Sequence, residues 1–221
     1  MITCKQMLKL ERDAQKFGIF VKDLMENAGR EIHRAMTDRF DIEDKDVIIF
    51  CGHGNNGGDG LAAATHFTDN PVIILFFGNP EKLGEEAKKY YDLIKDNTTI
   101  ITIRNKDDID QFHFQQGHKL ILLDALLGTG IEGEVKEPMK MAIDYFNSLQ
   151  AEKISIDIPS GMNGDTGEYT RRCDVDLTIA LHDVKQGAQN ENTVIVDIGL
   201  EDVKRKLAKL KNHSASSPSN N

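Results

Sequence analysis

The chain has 221 residues, 39% of them hydrophobic, and its 27 Lys and Arg against 36 Asp and Glu give a formal net charge of −9. A single domain of this length buries roughly 70% of its unfolded surface, so it needs neither disulfides nor a structural metal, and its hydrophobic share excludes a disordered chain. An acidic chain with no Lys/Arg block is a poor partner for nucleic acid or an anionic membrane. It can still hold a small anion on backbone N–H groups.

Three cysteines, Cys4, Cys51 and Cys173, lie far apart with no C-x-x-C pair. They are expected to be free thiols in a reducing compartment, with Cys51 a small core residue. No apolar run approaches about 18 residues, and the charged N-terminus lacks a signal-peptide core. The expectation is a cytoplasmic protein with no membrane span.

In chain order, Thr3 and Gln6 have the spacing of a capping box. Met7, Leu10, Ala14 and Phe17 then recur at helical spacing, and Gly18 supplies a stop. Leu24, Ala28, Ile32 and Ala35 mark a second helix. Strands and helices alternate thereafter. Strands are expected at Val47–Cys51, Val72–Phe77, Ile100–Ile103, Leu120–Asp124, Ile154–Ile158, Leu177–Leu181 and Thr193–Asp197. Helices are expected from near Asn56 through His66, over Glu81–Lys95, and over Pro138–Leu149 with proline near its start. Runs of consecutive apolar residues mark strands buried on both faces. The fold class is therefore α/β: a Rossmann-like, three-layer α/β/α sandwich around a mostly parallel sheet. Residues 1–212 form one domain, and the Ser/Pro/Asn-rich stretch 213–221 is expected to be a disordered tail.

Three polar loops follow strands. The first is Gly52-His53-Gly54-Asn55-Asn56-Gly57-Gly58-Asp59-Gly60. It contains G-x-G-x-x-G, but the next strand ends Phe76-Phe77-Gly78-Asn79 without the acid that holds a ribose in a nicotinamide dehydrogenase. The second runs from Asp124 to Glu134 and the third from Asp157 to Gly167. Ligands of open parallel sheets bind outside the carboxyl ends of the strands, so the three loops are expected to converge on one crevice. Asn56, Asp124 and Ser160 offer hard oxygen ligands suited to an alkali or alkaline-earth cation. There is no His/Cys cluster for zinc and no G-x-S-x-G elbow for a serine hydrolase. Asp157 is a candidate general acid/base or stabiliser of a cationic intermediate.

Four motifs in order resemble a known family. They are Leu24-Met25-Glu26-Asn27-Ala28-Gly29, the Asn-Asn-Gly-Gly-Asp-Gly loop, Asp124-Ala125-Leu126-Leu127-Gly128-Thr129-Gly130, and Asp157-Ile158-Pro159-Ser160-Gly161. Together they look like the YjeF N-terminal domain family, the NAD(P)H-hydrate epimerases, over Ile2 to Gly199. The resemblance implies interconversion of the R and S forms of NADHX and NADPHX, nicotinamide nucleotides hydrated at C6. It implies substrate contacts from Asn55, Asn56, Gly57, Gly58 and Asp59, from Gly128, Thr129, Gly130, Ile131, Glu132, Gly133 and Glu134, and from Asp157 at the reacting ring. It also implies K+ held by Asn56, Asp124 and Ser160, and a homodimer. The first two helices are expected in its interface, because Met7, Leu10 and Leu24 lie outside the sheet pattern.

His53 stands where the family commonly has proline, Gly164 departs slightly from its usual loop, and Asp183-Val184-Lys185 matches only part of a Pro-Lys pattern. Lys185 is placed near the site against the ordinary expectation of a solvated loop lysine. Many microbial relatives carry a fused dehydratase. This chain ends too early for one, so the activity is expected from a separate NAD(P)H-hydrate dehydratase as functional partner, or from a part of the protein beyond this sequence. Two other readings compete: a non-catalytic binding or dimerisation scaffold of the same fold, disfavoured by the retained loop residues, and a dinucleotide oxidoreductase, disfavoured by the missing acid.

Overall fold

A computed structural model describes residues 1–112, 119–130 and 133–215, with side chains to residue 210. Seven strands form one sheet: β1 (Asp46–Cys51), β2 (Val72–Phe77), β3 (Thr99–Ile103), β4 (Leu120–Ala125), β5 (Glu152–Ile156), β6 (Leu177–Leu181) and β7 (Thr193–Val196). Their spatial order is β3-β2-β1-β4-β5-β6-β7, and every pairing is parallel. The sheet is thus more uniform than the mostly parallel one expected. Its order reverses between β1 and β4, and a crevice opens there at the carboxyl ends of the strands.

The helices are α1 (Cys4–Ala14), α2 (Val21–Arg39), α3 (Asn55–Ala64), α4 (Glu85–Ile94), α5 (Lys106–Asp110), α6 (Met139–Ser148) and α7 (Glu201–Ala215). Successive residues of β1 show why two helical layers are needed. Val47, Ile49 and Cys51 join one core with α1, α2, α3, α4 and α7, whereas Ile48 and Phe50 join the other with α5 and α6. All five are fully buried, so removing either layer would expose a continuous apolar face. Phe50 stacks on Phe77 and meets Phe146 of α6 edge-on at 5.1 Å, which locks the second layer.

The capping box of α1 forms as its spacing predicts: Gln6 N–H donates to Thr3 Oγ1 and Thr3 N–H to Gln6 Oε1. Gly18 ends the following turn at φ 79°, where a side chain would be strained. The helix expected from Glu81 begins only at Glu85. Asn79 instead caps a single 3-10 turn at Pro80–Lys82, and Gly84 is the N-cap of α4. The short α5 and the C-terminal α7 carry no strong sequence signal and were not anticipated. Helix α7 runs to Ala215, and the rest of the tail expected at 213–221 lies outside the described residues.

The interface assigned to Met7, Leu10 and Leu24 needs correction. All three are buried in the chain's own core, because α1 and α2 pack onto the sheet layer. Among the described residues, no helix is long and apolar enough to cross a membrane.

Candidate functional site

The first Gly-rich segment is mostly helix rather than loop. Gly54 is the N-cap of α3, and Asn55 is already helical. Gly57 and Gly58 are buried inside the first turns. A Cβ at Gly57 would stand 1.9 Å from the Gly52 carbonyl oxygen, and one at Gly58 would stand 2.5 Å from Met25 Cε. These glycines let α3 sit tightly on β1 and α2. That contact fixes the helix N-terminus against the crevice, so their first demand is packing rather than access to a ligand.

The crevice is a cavity of about 680 Å³, enough for a nucleotide-sized ligand. His53, Gly54, Asn55, Asn56 and Asp59 line it from the β1–α3 segment, Leu126–Gly130 from the loop after β4, and Asp157 from the end of β5. Convergence of the three loops is therefore observed. Helix α1 adds Met7, Glu11 and Arg12, and α2 adds Leu24 and Met25. Of the remaining expected contact residues, Gly133 and Glu134 are exposed and outside this wall, and Ile131 and Glu132 lie outside the described residues.

Asn56, Asp124 and Ser160 are brought together from α3, β4 and the loop after β5. All three are buried, Asp124 and Ser160 completely. Ser160 N–H donates to Asp124 Oδ2 at 2.8 Å, and Ser160 Oγ donates to Asp124 Oδ1. Leu127 N–H donates to Ser160 Oγ at 2.8 Å, and Asn56 Nδ2 donates to the Leu127 carbonyl at 3.0 Å. Burial pushes the Asp124 carboxyl up to about 6, although hydrogen bonds from Ser160 and Leu126 favour its charged form. Among the described residues no Lys or Arg pairs with it. A buried carboxylate ringed by hydroxyl, amide and carbonyl oxygens fits an alkali cation, whose charge would offset that burial. No cluster of three or more His, Cys, Asp or Glu suited to a transition metal occurs among the described residues.

Asp157 follows β5 at φ 70°, a conformation incompatible with continuing the strand to Ile158 as expected. The turn aims its carboxylate back toward β6. Its Oδ1 accepts from Leu181 N–H at 3.2 Å and from the Lys185 ammonium. Lys185 is completely buried, and its Nζ also donates to the Leu181 carbonyl at 3.1 Å. The solvated-lysine expectation is thus overturned, while the placement near the site holds. The N-terminus fixes this lysine: Ile2 N–H donates to the Val184 carbonyl at 2.9 Å, Gln186 N–H donates to the Ile2 carbonyl at 3.2 Å, and the terminal ammonium lies 3.0 Å from Asp183.

Sequence reasoning overlooked Glu11. It follows Met7 by four residues and precedes Ala14 by three, so it lies beside the apolar stripe of α1. A charged residue on that stripe was the available signal. Burial raises the Glu11 carboxyl, the Asp157 charge adds to the rise, and Lys185 opposes it. Asp59 is raised well above the usual carboxylate range by burial, then by the charges of Asp157 and Glu11. The crevice thus combines an ion pair, two destabilised carboxyls and a pocket of buried oxygens.

Comparisons with known proteins identify the family and the fold. The family model described as YjeF-related protein N-terminus matches residues 21–187. A curated relative from Nitrosopumilus maritimus, named NAD(P)H-hydrate epimerase, is 33% identical over 84% of this chain and 86% of its own. Another of that name, from Cenarchaeum symbiosum, is 32% identical over 91% and 94%. The Bifunctional NAD(P)H-hydrate repair enzyme Nnr of Archaeoglobus fulgidus is 32% identical over 91% of this chain and 41% of its own. The crystal structure of yeast ynu0, YNL200c superposes with a TM-score of 0.78 at 20% identity, covering 89% of this chain and 87% of that one, and so shares the fold. By sequence pattern, family match and architecture, this chain belongs to the YjeF-related N-terminal family.

Proposed function

We propose that this protein is an NAD(P)H-hydrate epimerase, an isomerase that interconverts the R and S forms of NADHX and NADPHX. The observation that carries this reading is the Asp157–Lys185 pair at the inner end of a nucleotide-sized crevice, in a chain whose relatives bear that name.

The chemistry fits the site. C6 of the hydrate bears a hydroxyl next to a ring nitrogen and is therefore a carbinolamine. When the C6–O bond breaks, its electron pair leaves with the oxygen and the N1 lone pair forms a C6=N1 iminium. That planar carbon has lost its configuration, and water returning to the other face gives the other epimer. Asp157 is oriented by Leu181 N–H and Lys185, so its carboxylate stabilises the cationic ring without having to reorganise. Asn55, Asn56 and Asp59 hold the substrate from one side and Gly128, Thr129 and Gly130 from the other. Asn56, Asp124 and Ser160 would hold K+, which would supply fixed positive charge to the site.

The same reading places the enzyme in the cytoplasm as a homodimer. Phe20, the N-cap of α2, is 49% accessible and supplies apolar surface for a second copy, with Leu8 and Val21 exposed beside it where they border the crevice. A dehydratase acting on the same hydrates is the expected functional partner. The test is chiral chromatography of an R/S hydrate mixture enriched in one form, with and without K+. Wild-type protein should speed equilibration, and Asp157→Asn should lower the rate by roughly 10²-fold or more, as for loss of one oriented electrostatic group. No acceleration over buffer by the wild type would refute the reading.

A further inference from the structure

Three carboxyl groups, Glu11 of α1, Asp59 of α3 and Asp157 after β5, share the wall of one cavity, while Lys185, the one buried cation among the described residues, is committed to Asp157. Asp59 and Glu11 have no hydrogen-bond or ion-pair partner among the described residues, so their carboxyls are left for whatever enters the crevice. Asp59 is the fifth residue of α3, past the first turn where free N–H groups would favour its charge.

We propose that Asp59 is the general acid of the epimerisation and that Glu11, which shares its cavity wall, is a positioning residue that acts through it. This rests on the epimerase reading and divides the labour within it: the carboxyl with a counter-ion stabilises the cation, and the carboxyl without one delivers the proton. One carboxyl tied to a buried ammonium beside another without a counter-ion is the usual arrangement for such a division. Burial and the charges of Asp157 and Glu11 hold Asp59 above the ordinary range, against the pull of Lys185.

The step balances without a co-reactant. The Asp59 O–H protonates the C6 hydroxyl, the C6–O bond breaks with its electron pair on the departing water, and N1 supplies electrons for the iminium. Water adds to the opposite face of C6 and releases its proton to solvent in the crevice, from which the Asp59 carboxylate regains its own. The groups facing this pair are Asp157 and Lys185 from the sheet end, Arg12 on α1, His53 before α3, and Tyr90 on α4, whose hydroxyl feels the Asp59 charge.

The experiment is the pH dependence of kcat for wild type, Glu11→Gln, Glu11→Asp and Asp59→Asn, alongside ¹³C NMR titration of labelled Asp and Glu carboxyls. Wild-type kcat should fall at high pH as Asp59 loses its proton. Glu11→Gln removes a repelling charge, so the Asp59 resonance and the high-pH limb should move together to lower pH by roughly one unit. Glu11→Asp should restore both. Asp59→Asn should lower kcat by about 10²–10⁴-fold, the usual share of a general acid, and abolish the limb. Two results would overturn the proposal while leaving the epimerase reading intact: an active wild type whose pH profile is unmoved by Glu11→Gln, or an Asp59 resonance titrating near 4. An inactive wild type would overturn both.

Discussion

Replacing Lys185 with methionine tests whether its ion pair is structural as well as functional. Methionine approximates the length of the stem, so packing is largely kept. The change deletes the charge-assisted bond to Asp157 and the 3.1 Å bond to the Leu181 carbonyl. Breaking a fully buried pair costs about 3–5 kcal/mol, because the surviving charge has no partner. Here only the lysine is completely buried: the Asp157 side chain keeps 13% of its exposure and borders the crevice. Water can reach it, which reduces the expected loss to about 2–3 kcal/mol. For a domain of this size that is a fall in Tm of roughly 4–12 °C. The double variant Lys185→Met/Asp157→Asn removes the orphaned charge as well and should recover about 1–2 kcal/mol. The assay is urea unfolding followed by circular dichroism, with unchanged m-values as the check on a common unfolded state. A single variant within 0.5 kcal/mol of wild type (about the ordinary surface-substitution range), or a double variant no more stable than the single, would refute the argument.

Other expectations follow from the same geometry. Gly57→Ala forces a Cβ to 1.9 Å from the Gly52 carbonyl oxygen, so α3 must shift. Its thermal unfolding should show a loss of about 2–3 kcal/mol, at the upper end of overpacking costs. Asp124→Asn should abolish any K+-specific rise in Tm over choline at equal ionic strength. A rise that persists in the variant would place the cation elsewhere. Asp13 is lowered to about 2 by hydrogen bonds from Lys16 and Lys9. A lowered folded-state value means stability that is present above the unfolded value near 4 and lost as pH falls through about 2. Asp13→Asn should therefore lower Tm at pH 7, with the difference shrinking toward zero as pH falls through about 2, as read by calorimetry.

Much of this protein was legible along the chain. Strands β2 and β6 fall at Val72–Phe77 and Leu177–Leu181 as the apolar runs predict, because strands buried on both faces read as near-continuous apolar runs. The capping box of α1 and the stop at Gly18 are local chemistry between residues three or four apart. The convergence of the loops followed from the rule that parallel strands present their carboxyl ends on one edge. Helix α7 has little sequence signal because its positions are mostly polar, and among its described side chains only Val203 is fully buried.

Sequence alone determined the α/β class, the family and the motifs that reach the crevice, since each depends on residue order and short-range periodicity. Tertiary structure decided the electrostatics. Whether Lys185 is solvated or sealed beneath Asp157 depends on Ile2 pairing beside it across more than 180 residues of chain. Whether Glu11 borders the site, and whether Gly57 serves a ligand or a helix contact, likewise depends on neighbours distant in sequence. The physical reason is that burial and charge pairing are properties of the assembled surroundings, and no local pattern carries them.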